Sequence, residues 1–192
     1  MCISLIITIW HEHYVFFLRY GLRSGKVVVL NTLFLVIVLF YVYPLKFLTK
    51  LVLYPIAWVA GEDSIMKELG GMIRGEDIGD LMIIYGIGAA SVFFVLRWMY
   101  RYAFQCADLL ELNEIELFDT QTKISTNTIM GIVPLLSVGI ALLFRRHWSA
   151  GMLAGFTYFL YTPILFIYGN RVKKKRKKLL EELQERESIG NN

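Results

Sequence analysis

Apolar residues in this chain fall in long uninterrupted blocks, and this pattern restricts its fold more than any motif does. The blocks neither alternate as in a strand nor form the stripe of a water-soluble helix, and hydrophobic residues make up 56% of the 192 residues. A helix needs roughly 20 apolar residues at about 1.5 Å each to cross the hydrocarbon core of a bilayer. The pattern therefore predicts an integral, multi-pass membrane protein and argues against a soluble one.

Five blocks reach or approach this length, so we expect an all-α polytopic bundle with about five transmembrane helices. They cover residues 1–18, 27–43, 81–99, 128–144 and 148–168. Residues 45–58, which contain proline and lysines, are expected to be a kinked or interfacial continuation of the second block. Pro134 and Pro163 lie inside later blocks, and the backbone groups that they free must find partners within the bundle. We assign residues 1–170 to a membrane domain and 171–192 to a tail.

Charge sets the expected orientation. When the blocks alternate across the membrane, fourteen of the 20 lysines and arginines fall on one side. Cytoplasmic loops are enriched in these residues, so we expect a cytoplasmic C-terminus and an external N-terminus. The densest group of cations lies in the tail and consists of Lys173, Lys174, Lys175, Arg176, Lys177 and Lys178. Topology alone explains this group, or it also binds anionic lipid headgroups. Because the basic excess is used at a membrane surface, we do not expect nucleic acid as a partner.

On the opposite side, residues 61–80 form an acidic external segment. Its candidate functional residues are Glu62, Asp63, Glu76 and Asp77. In a cation channel such a vestibule raises the local cation concentration. The alternative, which we favour at this point, is that acidic external loops merely complete the charge asymmetry across the membrane.

The sequence contains no pattern typical of catalysis or of a cofactor or metal site. It lacks Gly-x-Ser-x-Gly and the phosphate-binding glycine loop. Cys2 and Cys106 do not have metal-ligand spacing. His11 and His13 lie about 200° apart around a helix, so they do not share a face. We therefore expect a protein that is not an enzyme and that binds no cofactor and no metal ion.

Two further segments carry expectations about packing. The third block contains a patch of small residues that predicts close contact between helices, namely Gly86, Gly88, Ala89, Ala90 and Ser91. Acidic and apolar residues interleave in the linker at residues 107–123, without the order of a calcium-binding loop. We expect this linker to form a short amphipathic cytoplasmic helix of its own.

A spaced set of aromatic and polar residues runs through the first three blocks. In order, these are Trp10, His13, Phe17, Asn31, Tyr43, Pro44 and Tyr85. Together with the acidic linker and the basic tail, the set resembles the bacterial and lysosomal transmembrane-protein-175 potassium channels over nearly the whole chain. This resemblance implies a six-helix unit that assembles as a tetramer, or as a dimer of fused repeats, and conducts potassium. The five blocks resemble helices two to six of that unit.

The chain departs from the family pattern at one point. The family signature Arg-x-x-x-Phe-Ser-Asp, carried by a pore-lining first helix, does not occur. We expect either that the sequence is truncated at its N-terminus or that another chain supplies this helix, so no pore residue is assigned. By the resemblance, Trp10, His13 and Asn31 form the polar network that packs against the first-helix motif and holds the pore helices in place.

Buried polar groups in hydrocarbon need partners, and this leaves an alternative for the same residues. His13 and Asn31 satisfy one another in that alternative, and Glu12 pairs with His11 or Arg23. Two functions follow. The first is a potassium channel subunit, a homo-oligomer of the bacterial plasma membrane, with lipids and potassium ions as its partners. The second is a non-conducting membrane scaffold or accessory subunit.

Overall fold

The computed structural model describes residues 2–41, 77–144 and 150–190, and the regular structure of these residues is entirely helical. The helices are α1 (Cys2–Tyr20), α2 (Gly25–Tyr41), α3 (Asp77–Gln105), α4 (Glu114–Leu143), α5 (Ala150–Phe156) and α6 (Tyr161–Gly190). A 3₁₀ turn, Thr157–Leu160, joins α5 to α6. The predicted all-α fold is confirmed. In the described part of the chain, α3 and α4 are long and apolar enough to cross a membrane, and α2 is a shorter apolar helix.

The turn between α1 and α2 is built by one glycine and one serine. Gly21 has a φ of 53°, a left-handed conformation that is readily available to glycine, and its N–H donates to the carbonyl of Phe17 at 3.0 Å. Ser24 begins the next helix, because its side-chain oxygen lies 3.4 Å from the N–H of Val27. The two apolar helices are therefore joined by only four residues, which places them side by side.

The helix that contains the fourth predicted block begins well before that block. We expected it to begin at position 128 and a separate short helix to precede it, but α4 begins at Glu114 and is continuous. Asn113 and Glu116 form a reciprocal capping box, with Asn113 Oδ1 accepting from the Glu116 N–H at 2.9 Å and Glu116 Oε2 accepting from the Asn113 N–H at 3.0 Å. This cap starts one helix that contains both the acidic linker and the membrane block, so the separate helix was a wrong prediction.

The main core lies where α1 and α2 meet α3. Its fully buried side chains include Phe16 of α1, Phe34 of α2 and Leu96 of α3. The α3 helix also packs along α4, because Gly86 removes the side chain where the helices are closest. A Cβ at this position would overlap Val138 and would lie 2.9 Å from the carbonyl oxygen of Pro134. The small-residue patch therefore includes a close helix contact.

Pro134, inside α4, frees one backbone carbonyl, and a neighbouring helix satisfies it. Proline has no N–H to donate to the carbonyl four residues earlier, which belongs to Met130. The hydroxyl of Tyr161 donates to this oxygen at 2.7 Å. The helix is interrupted a second time at the 3₁₀ turn. There the carbonyl of Ala154 accepts hydrogen bonds from the hydroxyls of Ser137 and Thr157, at 2.8 and 2.6 Å. At Pro134 the prediction that such groups find partners inside the bundle is confirmed.

The C-terminal tail is a continuation of the last helix. The fifth block was expected to end near position 168, yet α6 continues without a break through position 170 to Gly190. Pro163 lies in the first turn of α6, where a missing N–H is tolerated. The interfacial segment predicted at 45–58 and most of the acidic segment at 61–80 fall outside the described residues.

Candidate functional site

One candidate site is a hydrogen bond between the first two helices. His13 Nε2 lies 2.6 Å from Asn31 Oδ1, and both residues are partly buried. Because an amide oxygen only accepts, the bond requires a proton on Nε2. The structure therefore brings together all three residues that the sequence places in a polar network. His13 and Asn31 bond to each other, which is the pairing expected in the alternative, and Trp10 lies beside His13.

Aromatic rings enclose the imidazole of His13. Phe34 of α2 stacks on it with ring centroids 5.0 Å apart and planes within 2°, while Phe17 approaches edge-on at the same distance. Trp10 completes the group at 5.7 Å and a tilt of 33°. Trp10, His13 and Phe17 share one face of α1, since they are three and four residues apart. We call these four rings and Asn31 the His13 cluster.

Burial changes steeply across the His13 cluster. Phe34 is 1% exposed, whereas Trp10 is 61% exposed. An indole ring on the outer face of a bundle presents an N–H donor that hydrocarbon does not satisfy. The His13 bond also leaves the amide group of Asn31 with two N–H donors of its own. The outer side of this cluster therefore has the chemical capacity to receive further polar partners.

A second polar cluster joins α1 to α3 and α4. Glu12 accepts from Lys123 Nζ at 2.6 Å and from the hydroxyl of Tyr100 at 3.2 Å. The expected pairing of Glu12 with His11 or Arg23 is not the observed one. The physical reason is the tertiary arrangement, because Lys123 belongs to the part of α4 that the sequence suggested was a separate element.

Asp119 is the centre of the same polar cluster one helical turn away. Its carboxylate accepts from Arg19 of α1 at 3.1 Å and from Arg176 of α6 at 3.0 Å. Next to it, the hydroxyls of Tyr20 and Thr120 lie 2.7 Å apart and are buried. Asp119 thus ties together three helices that are far apart in the sequence. We call the groups around Glu12 and Asp119 the Asp119 cluster.

The basic residues of the tail separate into two faces of α6. Val172, Arg176, Leu179 and Leu183 follow the spacing of one helical stripe, and the apolar members are partly buried. Arg176 on this inner stripe pairs with Asp119, and Arg186 further along it pairs with Glu114 at 3.3 Å. The five lysines of the predicted group are all exposed. Four of them, Lys173, Lys174, Lys177 and Lys178, occupy the outer face, whereas Lys175 lies beside the inner stripe, about 20° from Arg186 around the helix.

The remaining predicted site residues belong to the acidic external segment. Glu62, Asp63 and Glu76 lie outside the described residues, and Asp77 is the first residue of α3. Sequence reasoning missed the Asp119 cluster, because Asp119 and Lys123 were assigned to a cytoplasmic linker. One signal was available: residues 113–116 read Asn-Glu-Ile-Glu, a capping-box pattern that predicts the true start of α4.

Comparison with known proteins is consistent with these observations. No model of a protein family matches the chain. A protein named potassium channel from Marivirga tractuosa is 39% identical over 183 residues, which cover 95% of this chain and 74% of that protein. A crystal structure of a variant of the potassium channel MtTMEM175, in complex with a nanobody fusion protein, is also 39% identical. It superposes with a TM-score of 0.77 and covers 90% of this chain and 75% of its own.

Identity at this level over nearly the whole chain, with the same helical arrangement, exceeds what a shared fold alone requires. The resemblance carried by the residues of the His13 cluster is confirmed. This chain is an integral membrane protein and belongs to the transmembrane-protein-175 family of potassium channels.

Proposed function

We propose that this chain is a subunit of a potassium channel in which the His13 cluster holds a pore-lining helix in place. The pore helix is the family's first helix, whose signature this sequence does not contain. The relatives are named potassium channels, which supports potassium as the permeant ion. No reaction chemistry is proposed, since the relatives are channels and not enzymes.

The observation that carries this proposal is the geometry around His13. A protonated Nε2 fixed on Asn31 Oδ1 at 2.6 Å, with Phe34 stacked on the ring, leaves the imidazole in one orientation. Trp10 stands beside it on the outer face, 61% exposed. Such a rigid polar and aromatic edge suits a helix that carries hydroxyl and carboxylate groups, because each new hydrogen bond forms at little entropic cost.

The complete channel is proposed to be a homo-oligomer, a tetramer by the family resemblance, in a bacterial plasma membrane. The distribution of lysine and arginine supports a cytoplasmic C-terminus. In this orientation the Asp119 cluster and the outer part of α6 lie on the cytoplasmic side, and the acidic segment at 61–80 faces the exterior. Membrane lipids and potassium ions are then the partners of the chain.

The test is potassium flux into proteoliposomes, measured for the purified chain and for a version that includes any coding sequence upstream of Met1. We expect flux from the assembly that contains a pore helix. His13→Phe keeps the ring stack and removes the hydrogen bond, and Asn31→Leu removes its partner while keeping the branched shape of the side chain. Each substitution is expected to lower flux at least tenfold, because the pore helix loses its anchor.

His11→Phe is the matched control, since His11 is exposed and lies outside the cluster. Its flux is expected to equal that of the unsubstituted protein. Equal flux from His13→Phe and Asn31→Leu would contradict the role given to the cluster. Folded protein that passes no potassium in either length would contradict the channel function itself and would favour the scaffold alternative.

A further inference from the structure

The outer face of α6 just beyond the membrane carries a surface that the channel function does not use. The five lysines Lys173, Lys174, Lys175, Lys177 and Lys178 are exposed, and the side chain of Lys177 is 79% exposed. Arg176, in the middle of the same run, has 44% exposure and pairs with Asp119. The run is therefore not a uniform positive segment. Arg176 ties α6 to α4, Lys175 lies beside the inner stripe, and the other four lysines are directed away from it, with Lys177 pairing only within α6, to Glu181 at 3.6 Å.

The inner stripe of α6 explains why four of the lysines, Lys173, Lys174, Lys177 and Lys178, face outward. Arg176 pairs with Asp119 at 3.0 Å and Arg186 with Glu114 at 3.3 Å, both on α4. Between these ion pairs, Leu179 and Leu183 are partly buried. At 100° per residue these four positions fall on one side of the helix. The inner stripe thus faces α4, and the four outer lysines lie on the opposite side of α6.

The distance from the bilayer selects the partner. The apolar part of α6 ends at Tyr168, a residue type enriched at the membrane interface. At about 1.5 Å per residue, Lys173 lies roughly 8 Å and Lys178 roughly 15 Å further along the helix. The headgroup layer is about 5–8 Å thick, and lysine stems reach back toward it. Because the screening length is about 8 Å at physiological salt, all five cations lie within the field of an anionic membrane surface.

From this placement we infer that the outer lysine face of α6 is a binding site for anionic lipid headgroups, with the net negative charge of the headgroup as the recognised chemistry. The site is preformed because the lysines belong to one continuous helix whose inner stripe faces α4, so lipid binding does not have to order the helix. Each lysine close to the surface contributes about fivefold to the affinity. The site is separate from the His13 cluster and does not depend on conduction.

The experiment uses the purified full chain in a zwitterionic detergent. Dioctanoyl phosphatidylglycerol and dioctanoyl phosphatidylcholine are titrated separately, and the thermal unfolding midpoint reports binding. We expect the anionic lipid to raise the midpoint and the zwitterionic lipid not to do so. The fourfold variant Lys173→Gln, Lys174→Gln, Lys177→Gln, Lys178→Gln is expected to bind the anionic lipid at least tenfold more weakly. It keeps Arg176 and the inner stripe, so its midpoint without lipid should match that of the unsubstituted chain.

The matched control replaces the same four lysines with arginine, which keeps the charge, and it should retain lipid binding. An equal lipid response in the glutamine variant would overturn the site, because the lipid would then bind elsewhere. The absence of a preference for the anionic lipid in the unsubstituted chain would reduce the lysines to a topology signal. A free polyanion, tested as inorganic pyrophosphate, should raise the midpoint less than the lipid, and an equal effect would overturn the membrane surface as the partner.

Discussion

The α4 helix meets α3 and α1 in opposite ways. Against α3 the contact depends on missing side chains, since Gly86 sits against Val138 and a Cβ on Gly131 would meet the ring of Phe94 at 3.1 Å. Against α1 the contact depends on long side chains, such as the Glu12–Lys123 pair at 2.6 Å. The first kind of contact tolerates no added atoms, whereas the second loses strength one pair at a time.

This difference separates two uses of the same helix. Close packing over a glycine fixes the distance between helices and gains dispersion energy along the whole contact. Ion pairs between partly exposed groups add less free energy, because water competes for both partners. They do specify which residues oppose each other, since Glu12 and Arg19 on α1 face Lys123 and Asp119 on α4 with opposite charges. We therefore expect the contact of α4 with α3 to contribute most to the stability of the bundle, and the contact of α4 with α1 to determine which residues of these two helices face each other.

The largest expected effect comes from filling the glycine contact. Gly86→Leu places a side chain where even a Cβ would overlap Val138, so α3 and α4 must separate. We expect a loss of about 3 kcal/mol of stability, or no folded protein. Thermal unfolding in detergent, followed by size-exclusion chromatography, measures this. Gly139→Ala on α4 is the control, because a Cβ there meets nothing within 4 Å. A comparable loss in both variants would show that the helix contact is not the cause.

An intermediate effect is expected from the Glu12–Lys123 pair. Glu12→Gln leaves the ammonium of Lys123 without its carboxylate, and the two side chains are 20% and 33% exposed. Solvent screening reduces the loss expected for a buried pair to about 1–2 kcal/mol. A double-mutant cycle with Lys123→Gln isolates the interaction from other effects of each change. A coupling free energy indistinguishable from zero would mean that this pair does not fix the register.

The smallest effect is expected from the neutral contact beside Asp119. Tyr20→Phe removes the hydroxyl that lies 2.7 Å from Thr120 Oγ1, while Thr120 still donates to the carbonyl of Glu116 at 2.6 Å. Because no group is left entirely without a partner, we expect a loss of only about 0.5–1 kcal/mol. Chemical denaturation in mixed micelles resolves such a difference. A loss larger than that of Glu12→Gln would reverse the proposed order of the two contacts.

The sequence predicted the contact of α4 with α3 and did not predict the contact of α4 with α1. Small residues cluster within one apolar block, so their role is visible without knowing the neighbour. Partners such as Arg19 and Asp119 are 100 positions apart, and only the tertiary arrangement brings them together. The same limit applied to Glu12, for which only the nearby His11 and Arg23 were considered as partners, whereas the observed partner, Lys123, is 111 positions away. Local sequence patterns predict helices and the positions where only a small residue fits. Ion pairs between residues far apart in the sequence can be identified only once the fold is known.

For the candidate site, the family resemblance named Trp10, His13 and Asn31, and the structure shows how these residues are arranged. Trp10, His13 and Phe17 share a face that follows from their spacing, so this part was predictable. The stacking of His13 on Phe34 was not, because it depends on the four-residue turn at Gly21 and on the rotation of α2. The role of this cluster in holding a pore helix stays a prediction.

The bond from Tyr161 to Met130 has a mechanical consequence for the bundle. Pro134 removes one backbone hydrogen bond from α4, and the hydroxyl of Tyr161 on α6 donates to the carbonyl that is left free. At this level a side chain of α6 thus completes the hydrogen bonding of the α4 backbone. A rotation of α4 or α6 about its own axis at this level therefore has a cost, because it breaks this bond and leaves the carbonyl of Met130 without its partner from α6.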